Sequence, residues 1–180
     1  MRKVVYKWFS AWEHEKEEKW LDEMCQKGYG LESVSFCRYE FAPCEPGEYS
    51  YRLEMLDNMP SHSESVDYIK FIEETGAEQI ASYLKWVYFR KKREYGDFEL
   101  FSDIDSRILH MKRISRLMSI GMACEMLVAL GNFSIFFANK MTINLFCALL
   151  CFAVGLFLEY GRRKLGKKTA ELEKERQIFE

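Results

Sequence analysis

The sequence predicts an α+β domain built from two βαβ halves, followed by a transmembrane hairpin of two helices. Three observations predict it. Apolar residues alternate between strand and helix periods over residues 4–92. The pattern around Gly28 is echoed around Gly76. Near the C-terminus, two apolar runs each approach the ~20 residues needed to cross a hydrocarbon core of ~30 Å.

Val4–Ser10 (VVYKWFS) is β-branched and aromatic, and reads as a strand. Glu13–Lys27 follows as a helix with Trp20, Leu21 and Met24 on one stripe, closed by Gly28 and Gly30. Leu31–Phe41 alternates as a strand through Val34, Phe36, Tyr39 and Phe41. Pro43, Pro46 and Gly47 then turn the chain into a strand at Tyr49–Leu56. Ser63–Thr75 is a second helix, with Val66, Ile69 and Ile72 on one face and Gly76 after it. Gln79–Lys91 is the final strand, bent or bulged near Ser82–Lys85.

The order β-α-β-β-α-β reads as an internal duplication. Tyr6-Lys7-Trp8 answers Tyr51-Arg52-Leu53, Trp20-Leu21 answers Tyr68-Ile69, and Met24 answers Ile72. After the glycines, Phe36, Tyr39 and Phe41 answer Tyr83, Trp86 and Tyr88. Such a repeat closes into a ferredoxin-like two-layer sandwich, with one sheet face covered by helices and the other open. Tyr39, Phe41, Tyr51, Trp86 and Tyr88 are the candidate interaction residues of that open face.

The domains expected are residues 1–97 for the soluble unit, 98–116 for a linker and juxtamembrane helix, 117–160 for the hairpin and 161–180 for a charged tail. Ser102 or Asp103 is the expected cap of a helix that starts near Asp105 and runs into the first span. The spans are 117–138 and 141–160, joined at Asn139-Lys140. Lys112, Arg113 and Arg116 precede them, and Arg162, Arg163, Lys164, Lys167 and Lys168 follow, so both termini are expected in the cytoplasm of a multi-pass protein. Glu125 and Asn132 are candidate intramembrane polar contacts. Glu125 reads either as an ion site or partner contact, or as a carboxyl bonded within the hairpin, to Asn144 or a serine. Gly121, Ala129 and Gly131 offer small faces for helix packing.

Residues 1–97 hold 14 basic and 19 acidic residues, a balance that argues against nucleic acid. The six cysteines form no CxxC pair and read as free thiols. The N-terminus has no apolar core of signal-peptide length. His14, His62 and His110 are scattered without ligand spacing, and no nucleotide-binding or hydrolase motif is present. The acidic run at residues 13–18 reads as a solvated first turn that suits the helix dipole. No catalytic residue, metal or cofactor is expected.

The segments Glu18-Lys19-Trp20-Leu21, Lys27-Gly28-Tyr29, Tyr51-Arg52-Leu53, Trp86-Val87-Tyr88-Phe89-Arg90 and Glu99–Asp103 resemble the bacterial family called domain of unknown function 2812. The resemblance covers residues 5–103, with Ala77 standing where an aromatic is usual. It implies a membrane protein of Gram-positive bacteria, often encoded beside PadR-like regulators, and supplies no activity, cofactor or catalytic residue. The function expected is a non-enzymatic, membrane-anchored sensory or protein-interaction module. The alternative is a small transport or envelope-stress accessory acting through an oligomeric hairpin. Expected partners are membrane lipid and a second copy or another protein.

Overall fold

The computed structural model describes residues 2–101 and 103–179, the last two of these by backbone alone. It divides into two units, residues 1–103 and 104–180. The first is α+β and the second is a pair of long helices, as the sequence predicts.

Six strands make up the first unit, in two sheets. The first half runs β1 (Lys3–Tyr6), α1 (His14–Gln26), β2 (Tyr29–Ser35) and β3 (Arg38–Pro43), with sheet order β1-β3-β2. The second repeats it as β4 (Tyr49–Met55), α2 (Ser63–Glu74), β5 (Glu78–Tyr83) and β6 (Trp86–Lys92), with order β4-β6-β5. All neighbouring pairs are antiparallel. The ferredoxin-like sandwich is not confirmed, because each strand expected at 31–41 and 79–91 is a hairpin. Their turns lie at Phe36-Cys37 and Leu84-Lys85, with Cys37 and Leu84 in the left-handed region at φ 55° and 54°. No Gly, Asn or Asp marks either turn, so the usual hairpin signal is missing.

The duplication is real in topology and holds a constant offset of 48 residues from the helices to the second hairpins. Gly28 and Gly76 end the two helices at φ 80° and 87°. Leu21 answers Ile69 and Met24 answers Ile72, all buried. On the strands the register is one residue away from the sequence match. Phe41 answers Phe89, and both are fully buried. One residue of slip moves a strand side chain to the opposite face, so this correction decides which aromatics share a core.

Two cores result. Leu21, Met24 and Cys25 of α1 pack with Leu31, Tyr39, Phe41, Tyr51, Leu53 and Tyr88. Ile69 and Ile72 of α2 pack with Leu56, Ala77, Val87, Phe89 and Phe98. Tyr88 and its neighbours Val87 and Phe89 thus serve different cores, and the β4-β6-β5 sheet is buried on both faces. Phe98 is only 4% exposed, which carries the unit past the boundary expected at 97.

Helix α1 also closes the free edge of β4. Glu18 Oε1 accepts from Leu53 N–H at 2.8 Å, Asp22 Oδ1 from Tyr51 N–H at 2.9 Å, and Cys25 Sγ from Tyr49 N–H at 3.2 Å. Four helical residues rise ~6 Å and two strand residues ~6.7 Å, so one helix face matches alternate amides of an edge strand. The acidic run is therefore only partly solvated.

The second unit is α3 (Ile104–Asn139) and α4 (Thr142–Phe179). Helix α3 starts just after Asp103; Ser102, the other expected cap, lies outside the described residues. Each helix holds an apolar window long enough to cross a membrane, and those windows are only 6% and 11% buried. Outside the windows the helices form a paired stalk. Arg176 bonds Asp105 at 2.8 Å, Lys112 bonds Glu173 at 2.6 Å, and Thr169 Oγ1 lies 3.8 Å from Met111 Sδ. The charged tail expected at 161–180 continues α4.

Candidate functional site

The two bulges are the feature that neither helix nor sheet geometry requires. One lies between Leu31 and Ser33 opposite Phe41 and Glu40, the other between Gln79 and Ala81 opposite Phe89 and Tyr88. Glu32 and Ile80 are the extra residues, and they are equivalent under the 48-residue repeat. Both β2 and β5 are edge strands of their own sheets, and they run beside one another. Bulges bend and twist an edge and interrupt its ladder. A cleft of about 570 Å³ opens at this seam, lined by both bulged segments.

Charged residues dominate its walls. Arg2 and Arg90 face Glu32, Glu40, Glu48 and Glu78, and Arg38 pairs with Glu40 from outside the lining, leaving an acid excess of one. Arg90 donates Nε–H to Glu78 Oε2 at 2.8 Å and lies over the Tyr49 ring, 4.5 Å from its centroid. Tyr49 is pushed up to about 12, first by its hydrogen bond to the Glu48 carboxylate, which is in turn held below the usual carboxylate range. Arg2 pairs with Glu32 at 3.1 Å, an exposed contact that adds little. At the floor, Gly30 has no side chain because a Cβ there would stand 3.3 Å from Cys44 Cβ. Cys44 Sγ is 3.8 Å from Cys25 Sγ, and burial pushes the Cys44 thiol up to about 12. All six cysteines are free.

The aromatic residues singled out from the sequence occupy the interior. Phe41, Tyr51, Tyr39 and Tyr88 are at most 5% exposed, and Trp86 is half-buried. The structure does bring them together, since all five belong to or pack on the core beneath α1. They do not form an open face, because sheet β4-β6-β5 is covered on both sides. Their hydroxyls serve the core. Glu17 Oε1 accepts from Tyr39 at 2.7 Å and from Tyr88 at 2.8 Å, while Tyr51 accepts from Leu31 N–H at 3.0 Å. Burial raises the Glu17 pKa and outweighs the two phenol hydrogen bonds.

In the hairpin, the Glu125 carboxyl lies beside the Cys151 thiol of the facing helix. Asn132 donates to the Val128 carbonyl of its own helix at 2.9 Å. Gly121 faces Leu158 and Ala129 is buried, but nothing lies within 4 Å of a Cβ at Gly131. The tightest approach, a Cβ at Gly155 only 2.6 Å from Met126 Cε, falls at a glycine not expected to matter. Among the described residues no group of three or more His, Cys, Asp or Glu side chains is placed to hold a metal ion.

No curated protein and no solved structure matches the chain. A family described as "Protein of unknown function (DUF2812)" matches residues 13–123, from the start of α1 into the apolar part of α3. The resemblance seen over residues 5–103 thus extends into the first apolar helix, and the chain belongs to this family of proteins of unknown function.

Proposed function

We propose that the chain is a non-enzymatic, membrane-anchored sensory or interaction module, held by its hairpin with both termini in the cytoplasm. The observation that carries this reading is the cleft at the paired bulges, assembled from equivalent positions of the two halves. A duplicated unit that opens its sheets at matching places gains a recess able to hold a ligand or a partner's segment. Its acid excess suits a small ligand or peptide segment carrying a cationic group. The exposure of the apolar helix windows supports lipid around them, since a soluble core helix buries such a surface. Basic residues at both outer ends of the hairpin support the orientation. A link to a PadR-like regulator, implied by the family resemblance, belongs to the same proposal: the cleft would be the receiving element.

Hydrogen exchange on the full chain in detergent, with spermidine as the probe cation, tests the cleft. The reading expects slower exchange at residues 30–33 and 78–81, and a weaker effect in Glu78→Gln. Unchanged exchange at both bulges would remove the cleft as the receiving site. The transport-accessory alternative needs Glu125 to face a partner or a pathway. Its place beside Cys151 of the same hairpin supports an anchoring role.

A further inference from the structure

We propose that one end of the soluble unit, formed by its two hairpin tips and the end of β1, is a docking surface for an anionic lipid bilayer. Three short segments meet there: Tyr6-Lys7-Trp8, Phe36-Cys37-Arg38 and Tyr83-Leu84-Lys85. Lys7 N–H donates to the Cys37 carbonyl at 2.9 Å. The Trp8 and Phe36 rings meet edge-on at 5.8 Å, and Phe36 and Tyr83 lie 6.4 Å apart, so the segments form one continuous apolar patch. Tyr6, Trp8, Phe36 and Leu84 are 74%, 59%, 64% and 63% exposed. A contiguous exposed patch of this kind marks an interaction surface, whereas scattered apolar residues do not.

Charge identifies the occupant. Each segment carries one cation and no carboxylate, in a unit whose first 97 residues hold 14 basic and 19 acidic residues; Arg38 pairs with Glu40, Lys7 lies over the Phe9 and Trp20 rings, and Lys85 donates to the Asp57 carbonyl. Aromatic rings with amphipathic edges beside long cationic side chains are the chemistry of the bilayer interface. Anionic headgroups complement the ammonium groups of Lys7 and Lys85, which ring and carbonyl contacts leave charged. A second copy presenting the same patch about a two-fold axis would set these ammonium groups against one another.

Backbone strain points the same way. Leu84 and Cys37 hold left-handed conformations that glycine or asparagine would adopt at less cost. Strain of this sort persists where the side chain is used.

The proposal goes beyond the ligand cleft and rests on the membrane reading, so its test separates the two. All four tryptophans, Trp8, Trp12, Trp20 and Trp86, lie in the soluble unit and none in the hairpin. The full chain is reconstituted into bilayers containing phosphatidylglycerol and brominated phosphatidylcholine. Flotation on a density gradient establishes incorporation independently. Docking predicts that tryptophan emission falls by about a fifth or more, Trp8 being one of four rings, and falls less in bilayers of phosphatidylcholine alone. Trp8→Phe abolishes most of that loss, and Leu84→Ser, which keeps all four tryptophans, reduces it with circular dichroism unchanged. Emission untouched by brominated lipid in floated chains overturns docking while leaving the anchor intact. So does quenching that neither variant reduces. Cys37–Cys37 disulfides between copies, formed by mild oxidation in place of quenching, would assign the patch to a second copy and equally overturn it.

Discussion

At the scale of single residues, buried polar groups of the α+β unit serve its own packing. Glu17 is the clearest case. It sits in the acidic run that a helix dipole alone would explain, yet it is buried and receives two phenol hydroxyls from strands in different sheets. Glu17→Ala would leave both hydroxyls buried without an acceptor, a loss of roughly 2–4 kcal/mol read by chemical denaturation. Glu17→Gln, which keeps a carbonyl oxygen, should cost clearly less. Leu84 is the opposite case, since its conformation opposes folding. Leu84→Gly should raise stability by about 0.5–1 kcal/mol, measured as a higher Tm. A lower Tm would show that the leucine contributes packing not evident from its exposure.

At the scale of elements, the carboxylates of α1 do the work of a neighbouring strand. Glu18 is pushed up to about 7, chiefly by burial and against its hydrogen bond from Leu53 N–H. The unfolded chain then binds fewer protons than the folded one between about pH 4.5 and pH 7. Stability from this group is full below that window and falls as pH rises through it; Glu17 acts in the same direction. The loss is on the order of 2 kcal/mol, discounted for the partial exposure of Glu18. Glu18→Gln should flatten the decline between pH 5 and pH 7.5 in urea titrations. An unchanged slope would contradict the account of the β4 edge. In the hairpin, Gly155→Ala requires only the flexible end of Met126 to move and should be tolerated. Gly155→Leu should loosen α3 from α4 and lower the melting temperature in detergent, and Met126→Ala in the same chain should restore part of it. Gly131→Ala, with open space around it, should change nothing.

The elements also separate what the sequence makes legible from what it hides. Helix α1, helix α2 and their closing glycines follow from apolar spacing and from the conformational freedom that Gly28 and Gly76 supply. The apolar windows follow from length alone. The extra strands were hidden because Cys37 and Leu84 make turns without turn residues. The core position of Tyr39, Phe41, Tyr51 and Tyr88 was hidden because alternation shows which residues share a face, and does not show that a second sheet covers it. The bulges at Glu32 and Ile80 have no single-residue signature. Only their recurrence 48 residues apart could have exposed them, and the one-residue slip in the strand match concealed it.

At the scale of the molecule, a duplicated α+β unit carrying a charged cleft is followed by two helices long and apolar enough to cross a membrane. The central claim is that these helices anchor the chain with both ends inside. The most direct measurement is thiol labelling of intact cells by a membrane-impermeant maleimide, resolved peptide by peptide, on chains carrying Lys140→Cys. The account predicts a chain that stays with membranes through alkaline extraction. It also predicts a label at position 140 in the turn, and labelling of the partly exposed Cys37 only after the cells are opened. Release of the chain by alkaline extraction, or labelling of Cys37 in intact cells, would contradict it.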